Sequence, residues 1–217
     1  KWKIDRNNVL TPRTQAALIL STIRAFAQSS DPEIHEDHVR LLGNLQTAPE
    51  QTRKEIRAFA MNEAQVVWAR MLNEYDALPL GHDGYLKLWS LSKPTIAADF
   101  IMLDEAQDTN PVALDVLKRQ SAQLIYVGDK HQQIYEWRGA VNAMERMKTD
   151  HETRLTQSFR FGPLIAQTAS AVLRLLREAV PLLGNPKINS SICNTTDPEA
   201  ILARTNGSVM AAVFLAI

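Results

Sequence analysis

Two adjacent carboxylates, Asp104 and Glu105, follow directly on a four-residue apolar run, Phe100-Ile101-Met102-Leu103. At the end of a buried strand such a pair suits phosphoryl chemistry. One carboxylate can hold Mg²⁺, which binds through one or two carboxylates plus substrate phosphates. The other can orient or deprotonate an attacking water. The same pair can instead be the acidic first turn of a helix, set against the helix dipole. A second apolar run, Leu124-Ile125-Tyr126-Val127, leads into Gly128-Asp129-Lys130-His131-Gln132-Gln133-Ile134-Tyr135-Glu136-Trp137-Arg138-Gly139-Ala140. A glutamine there can sense a γ-phosphate through its amide. An arginine can neutralise phosphate or hold a carboxylate, and a tryptophan can stack on an unpaired base. The alternatives are a core tryptophan and a surface ion pair. The third segment is Leu155-Thr156-Gln157-Ser158-Phe159-Arg160-Phe161-Gly162. An arginine just after a strand can serve as an arginine finger, and a phenylalanine beside it can lie on an adenine ring. The alternative is a polar loop with core aromatics.

These segments need elements to hold them. The runs 100–103 and 124–127 read as short buried strands, and Pro111 to Gln120 between them has helical spacing. Such strand–helix–strand units nearly always give adjacent parallel strands. Both acidic ends then fall on one sheet edge, where open α/β folds bind ligands. Arg154-Leu155-Thr156 reads as a third strand, Pro163 to Glu178 as a long helix, and Ala200-Ile201-Leu202-Ala203 as a fourth strand. The first ~75 residues read as helices. Thr11-Pro12 starts one, with Ala16, Leu20, Ile23 and Ala27 as its stripe, and Ser29-Ser30-Asp31-Pro32 ends it. A second runs from about Pro49 to Tyr75, with Ile56, Phe59, Ala60, Ala64, Val67 and Met71 inward. Leu80 to Gly84 reads as a loop. Val209 to Ile217 is apolar without a helix-ending signal, as in a chain cut inside an element.

Composition sets the frame. The chain has 217 residues, 45% hydrophobic, with 24 Lys+Arg against 24 Asp+Glu. A zero net charge gives no global argument for nucleic acid, so any such site must be a local patch. The single cysteine, Cys193, excludes an internal disulfide and fits a reducing compartment, the cytoplasm of a bacterium or the nucleus of a eukaryote. No apolar run approaches a membrane span. His35 and His38 lie three apart with no cysteine or third histidine near them, a poor zinc pattern. Lys54, Arg57 and Arg70 can face a DNA backbone, but Glu50, Glu55 and Glu63 on the same helix favour a solvated face.

In order and spacing, the three segments resemble motifs II, III and IV of UvrD/Rep-type superfamily 1 DNA helicases. Ile201-Leu202-Ala203-Arg204-Thr205-Asn206 resembles the strand segment that follows in the second motor domain. His82-Asp83-Gly84-Tyr85-Leu86-Lys87-Leu88-Trp89, His131-Gln132-Gln133-Ile134-Tyr135 and 155–162 resemble the helicase part of the F-box DNA helicases and their bacterial relatives. The resemblance implies an α/β fold: a RecA-like P-loop NTPase motor fragment with a parallel sheet, preceded by an all-helical inserted subdomain. Residues 1–95 would be that mainly helical subdomain and the return to the motor. Residues 96–150 would be the latter part of the first RecA-like domain, and 151–217 the start of the second.

The resemblance also implies roles. Asp104 would bind Mg²⁺, and Glu105 would activate water. Gln132 would sense the γ-phosphate. Trp137 would stack on single-stranded DNA, and Arg138 would pair with Glu105 or approach phosphate. Phe159 would lie on the adenine, and Arg160 would be the finger. The cofactors would be ATP and Mg²⁺, the partner single-stranded DNA, and the activity ATP-driven 3′→5′ translocation or unwinding in recombination or repair. One departure stands out. A phosphate-binding loop needs G-x-x-x-x-G-K-[ST], and none of the eight glycines has another five residues away. Two rival readings therefore stay open: a catalytically inactive DNA-binding pseudo-helicase, and the helicase half of a helicase–nuclease.

Overall fold

The computed structural model describes residues 10–135, 140–194 and 198–216. It divides into two compact units, 1–148 and 149–217.

The first unit opens with helix α1 (Pro12–Ala27). Pro12 presets the first turn, and Thr11 caps it by accepting the Thr14 N–H (3.2 Å). Its buried face is Leu18, Thr22, Ile23, Phe26 and Ala27. The expected stripe is thus half right: Ile23 and Ala27 face inward, whereas Ala16 and Leu20 are exposed. Alanine carries too little apolar area to fix the phase of a stripe, and Leu18 and Phe26 outweigh it. Helix α2 (Glu50–Met71) packs against α1, burying Ile56, Ala60 and Ala64. It ends before Tyr75, because Asn73 and Asp76 accept backbone N–H groups of the following turn. Leu10, Leu18, Val39, Leu41, Leu45, Ile56 and Ala60 form one core cluster, and Ile23, Phe26, Ile34 and Ala64 another.

Helix α3 (His82–Leu91) corrects the expected loop at 80–84. Gly81 caps it, and Gly84 lies buried in its first turn, where a Cβ would meet Leu80 Cδ1 at 2.4 Å. The glycine serves close packing there, not a turn. Three residues on, Lys87 is 1% exposed. Its Nζ donates to Ser29 O (2.8 Å) and Asp31 O (2.5 Å) and sits 4.2 Å from the Phe26 ring centroid. Burial pushes its ammonium down to about 8.

Strand β1 (Phe100–Leu103), helix α4 (Pro111–Lys118) and strand β2 (Gln123–Tyr126) form the expected strand–helix–strand unit, but the strands are not buried as expected: Phe100 and Met102 are exposed, and no residue of either strand is fully buried. The strands pair in parallel, Phe100 opposite Gln123 through Leu103 opposite Tyr126. Asn110 caps α4 by accepting the Val112 N–H (2.9 Å), and α4 packs on α3. This is an α/β architecture with a small parallel sheet flanked by helices and preceded by helical elements. A short helix, α5 (Ala143–Arg146), closes a third core cluster of Ala106, Leu114 and Ala143. Among the described residues no helix is long and apolar enough to cross a membrane.

The second unit holds helix α6 (Pro163–Leu175) and helix α7 (Asn206–Ala216). The strands expected at 154–156 and 200–203 are not formed among its described residues. The first is reduced to one isolated parallel bridge, Gln157 to Leu183, and Leu202 is 96% exposed. Short apolar runs become strands only where a neighbour pairs their backbone, which sequence pattern does not supply. Helix α6 stops at Leu175 rather than Glu178, and Arg177 turns into the left-handed region (φ 63°).

Candidate functional site at the carboxyl end of the sheet

Because β1 and β2 run parallel, Asp104-Glu105 and Gly128-Asp129 leave the sheet at the same end. The ladder continues past both strands: Val127 N donates to Leu103 O (2.8 Å), and Ala106 N donates to Val127 O (2.9 Å). For Ala106 to reach back, the chain must turn sharply at residue 105. Glu105 does so in the left-handed region (φ 51°, ψ 41°), a conformation costing a non-glycine residue about 1–3 kcal/mol and concentrated at functional sites. Asp104 and Glu105 are both exposed, and Asp104 Oδ1 accepts the Glu105 N–H (2.9 Å).

Behind them lies Gln107, 2% exposed. Its Nε2 donates to Glu105 Oε2 (2.6 Å), and its Oε1 accepts the Asp129 N–H (3.0 Å). The partners fix which end is which, since an ionised carboxylate only accepts and a backbone N–H only donates. Gly128 passes so close that a Cβ there would lie 2.4 Å from Gln107 Oε1 and 3.0 Å from Ala106 N. Asp129 in turn accepts the His131 N–H (2.9 Å) and the Gln132 Nε2–H (2.9 Å). Gln132, Asp129, Gln107 and Glu105 thus form one hydrogen-bonded series across the two strand ends. Asp108 ties the next stretch, accepting N–H groups of Ile134 (3.1 Å) and Tyr135 (3.0 Å). The bridge between Thr109 and Val141 closes the loop from its far side. Trp137 and Arg138 lie outside the described residues.

Of the expected site residues, Asp104, Glu105 and Gln132 are therefore brought together. Gln107, Asp108 and Asp129 were given no role by residue type and spacing. Their signal was faint: a glutamine and an aspartate inside an acidic run, opposite a glycine that ends the next strand. The donor set at the mouth of β1 fits a hard divalent cation, since it offers carboxylate oxygens on an exposed side chain.

In the second unit, residues 156–162 are held by residues 183–190. Ser158 N donates to Leu183 O (2.7 Å), Leu183 N to Thr156 O (2.8 Å), Asn185 N to Phe161 O (2.8 Å), and Gly162 N to Ser190 Oγ (2.7 Å). The turn presents Phe159, 75% exposed, and an exposed Arg160 whose N–H reaches Ser158 Oγ (3.3 Å).

The remaining candidates are absorbed by structure. His38 is buried and accepts the His35 N–H at Nδ1 (3.1 Å), which leaves the proton on Nε2, facing Asp31 Oδ2 (3.0 Å) and Ser29 Oγ (3.1 Å). Asp31, His35 and His38 are close enough to hold a metal ion. A cation at Nε2 would displace that proton and oppose the His35 amide, so the group acts as a hydrogen-bonded tie. Lys54 pairs with Glu50 (3.1 Å), Arg57 donates to Val39 O (3.1 Å), and Arg70 pairs with Asp76 (2.8 Å).

Residues 44–152 match the UvrD/REP helicase N-terminal domain, half of the chain and all of the sheet-end site. The chain belongs to the UvrD/REP helicase family. It is 40% identical over 162 residues to F-box DNA helicase 1 of Gallus gallus, covering 71% of this chain and 16% of that protein. It is 34% identical over 206 residues to F-box DNA helicase protein 1 of Schizosaccharomyces pombe, covering 90% of this chain and 23% of that one. With DNA helicase II of Escherichia coli it shares 36% identity over 101 residues, 40% of this chain and 14% of that protein. The chain thus spans under a quarter of the length of each of these relatives. No solved structure matches it.

Proposed function

We propose that the chain supplies the hydrolytic strand end and the following switch loop of an ATP-dependent DNA helicase or translocase, acting on single-stranded DNA in recombination or repair. One observation carries the reading. An exposed carboxylate pair stands at the carboxyl end of a parallel sheet and is wired through Gln107 to the turn after β2, inside a segment of UvrD/REP type. Asp104 would hold Mg²⁺, and the ion would supply charge neutralisation to the ATP phosphates. Glu105 takes up the proton of the attacking water. Gln132 reads the γ-phosphate with its amide, Arg138 pairs with Glu105 or phosphate, and Trp137 stacks on a base. Phe159 and Arg160, exposed on their own turn, would be the residues for an adenine ring and for a phosphoryl group. Residues 1–95 would be a mainly helical inserted subdomain and the return to the motor domain, and the protein would work in the bacterial cytoplasm or the eukaryotic nucleus.

The test is strand displacement by the full-length parent on duplexes bearing a 3′ or a 5′ single-stranded tail. The expected result is ATP-dependent displacement of the 3′-tailed duplex alone. DNA binding without displacement or ATP turnover on either substrate would make the protein a pseudo-helicase and end this reading.

A further inference from the structure

We infer that Gln107 is a positioning residue for hydrolysis: it aims the Glu105 carboxylate and makes that aim depend on the turn after β2. The inference rests on the proposed hydrolytic role of Glu105 and deepens it. Glu105 needs an external brace, because its backbone is held in the left-handed region and its side chain is exposed. Left alone, an exposed glutamate samples several rotamers, and only some would face an attacking water. Gln107 removes that freedom at one oxygen. Its amide hydrogen, bonded at 2.6 Å, occupies Oε2, which leaves Oε1 to receive a proton.

The brace is itself fixed at its other end. Gln107 Oε1 accepts the Asp129 N–H, and Gly128 presses on the same oxygen. A buried primary amide with a carboxylate at one end and a backbone N–H at the other has no second orientation that satisfies both. Any shift of the 128–132 turn, where Gln132 is bonded to Asp129 Oδ2, therefore pulls on Gln107 and moves Glu105. Glutamine suits this position as no charged residue would. A glutamate would set two carboxylates against each other, and a lysine would hold Glu105 by charge without gripping Asp129 N.

The experiment uses the full-length parent with ATP, Mg²⁺ and single-stranded DNA, comparing Gln107→Met, Gln107→Glu and a Glu105→Gln control. Methionine keeps length and burial but loses both hydrogen bonds. It should lower kcat roughly 10–100-fold, the usual effect of removing an outer partner of a functional group, with KM for ATP within about twofold. Glutamate keeps the shape and the acceptor for Asp129 N but places a like charge against Glu105. It should lower kcat per folded molecule at least as far as methionine does, again with KM for ATP within about twofold. A merely structural Gln107 would lower the melting temperature and the folded fraction and leave kcat per folded molecule unchanged. Wild-type kcat per folded molecule in either variant would overturn the inference. A parent that hydrolyses ATP equally well with Glu105→Gln would overturn the hydrolytic reading itself, and the positioning role with it.

Discussion

Gln107 and Gly128 show how closely the ends of β1 and β2 are fitted to each other. The glycine's backbone conformation is ordinary; its missing side chain is what matters, because Gln107 Oε1 and Ala106 N fill the space a Cβ would take. Gly128→Ala should therefore disturb Gln107 without altering it. We expect a loss of about 1–3 kcal/mol of stability, the range for an overpacked site, and a fall in kcat of the parent. Denaturation midpoints and steady-state turnover measure the two effects, and an unchanged value of both would mean that the strand ends are looser than the geometry shows. The carboxylate pair could be singled out in the sequence because adjacent acids directly after an apolar run have two physical readings, a phosphoryl site or an acidic first turn, and the structure puts both acids at the end of β1. Gln107 could not, because an amide two residues on is chemically silent until the fold gives it a donor and an acceptor. Asp108 was hidden in the same way, its partners being backbone N–H groups 26 and 27 residues away.

Among the elements, β1, α4 and β2 were legible since each carries a local signal: an apolar run, helical spacing from Pro111, a second run. The strands expected at 154–156 and 200–203 were not, because their formation depends on partners and not on their own residues. Leu80 to Gly84 reads as a loop in the sequence, yet His82–Leu91 is the helix that binds the turn after α1 through Lys87 and reaches the end of α4 through Ser90, which accepts from Arg119 Nη2 (3.1 Å). That turn also meets His38 through Ser29 Oγ and Asp31 Oδ2, and the His38 imidazolium is disfavoured by burial and next by His35, so that its folded pKa lies below 6.5. The unfolded chain therefore takes up the proton first as pH falls. This contribution to stability is complete above about 6.5 and is lost on acidification through the lowered folded value. Stability of the helical part should fall between pH 7 and pH 5, and His38→Gln should flatten that dependence. Chemical denaturation across this range checks it, and an equally steep dependence in the variant would place the acid sensitivity elsewhere.

At the scale of the molecule, the chain carries the carboxylate-bearing strand end and the turn after β2 but no G-x-x-x-x-G-K-[ST] pattern within its 217 residues. It spans 16% and 23% of its two F-box helicase relatives. Catalysis of phosphoryl transfer is mostly positioning and charge stabilisation shared among several segments, so residues 1–217 alone should hydrolyse ATP no faster than their Glu105→Gln variant. The decisive measurement is steady-state ATP hydrolysis by the full-length parent, with and without single-stranded DNA, beside Glu105→Gln. The account predicts DNA-stimulated turnover that falls by at least about 10²-fold in the variant, the minimum expected of a general base, while nucleotide still binds. Equal turnover in parent and variant would contradict it.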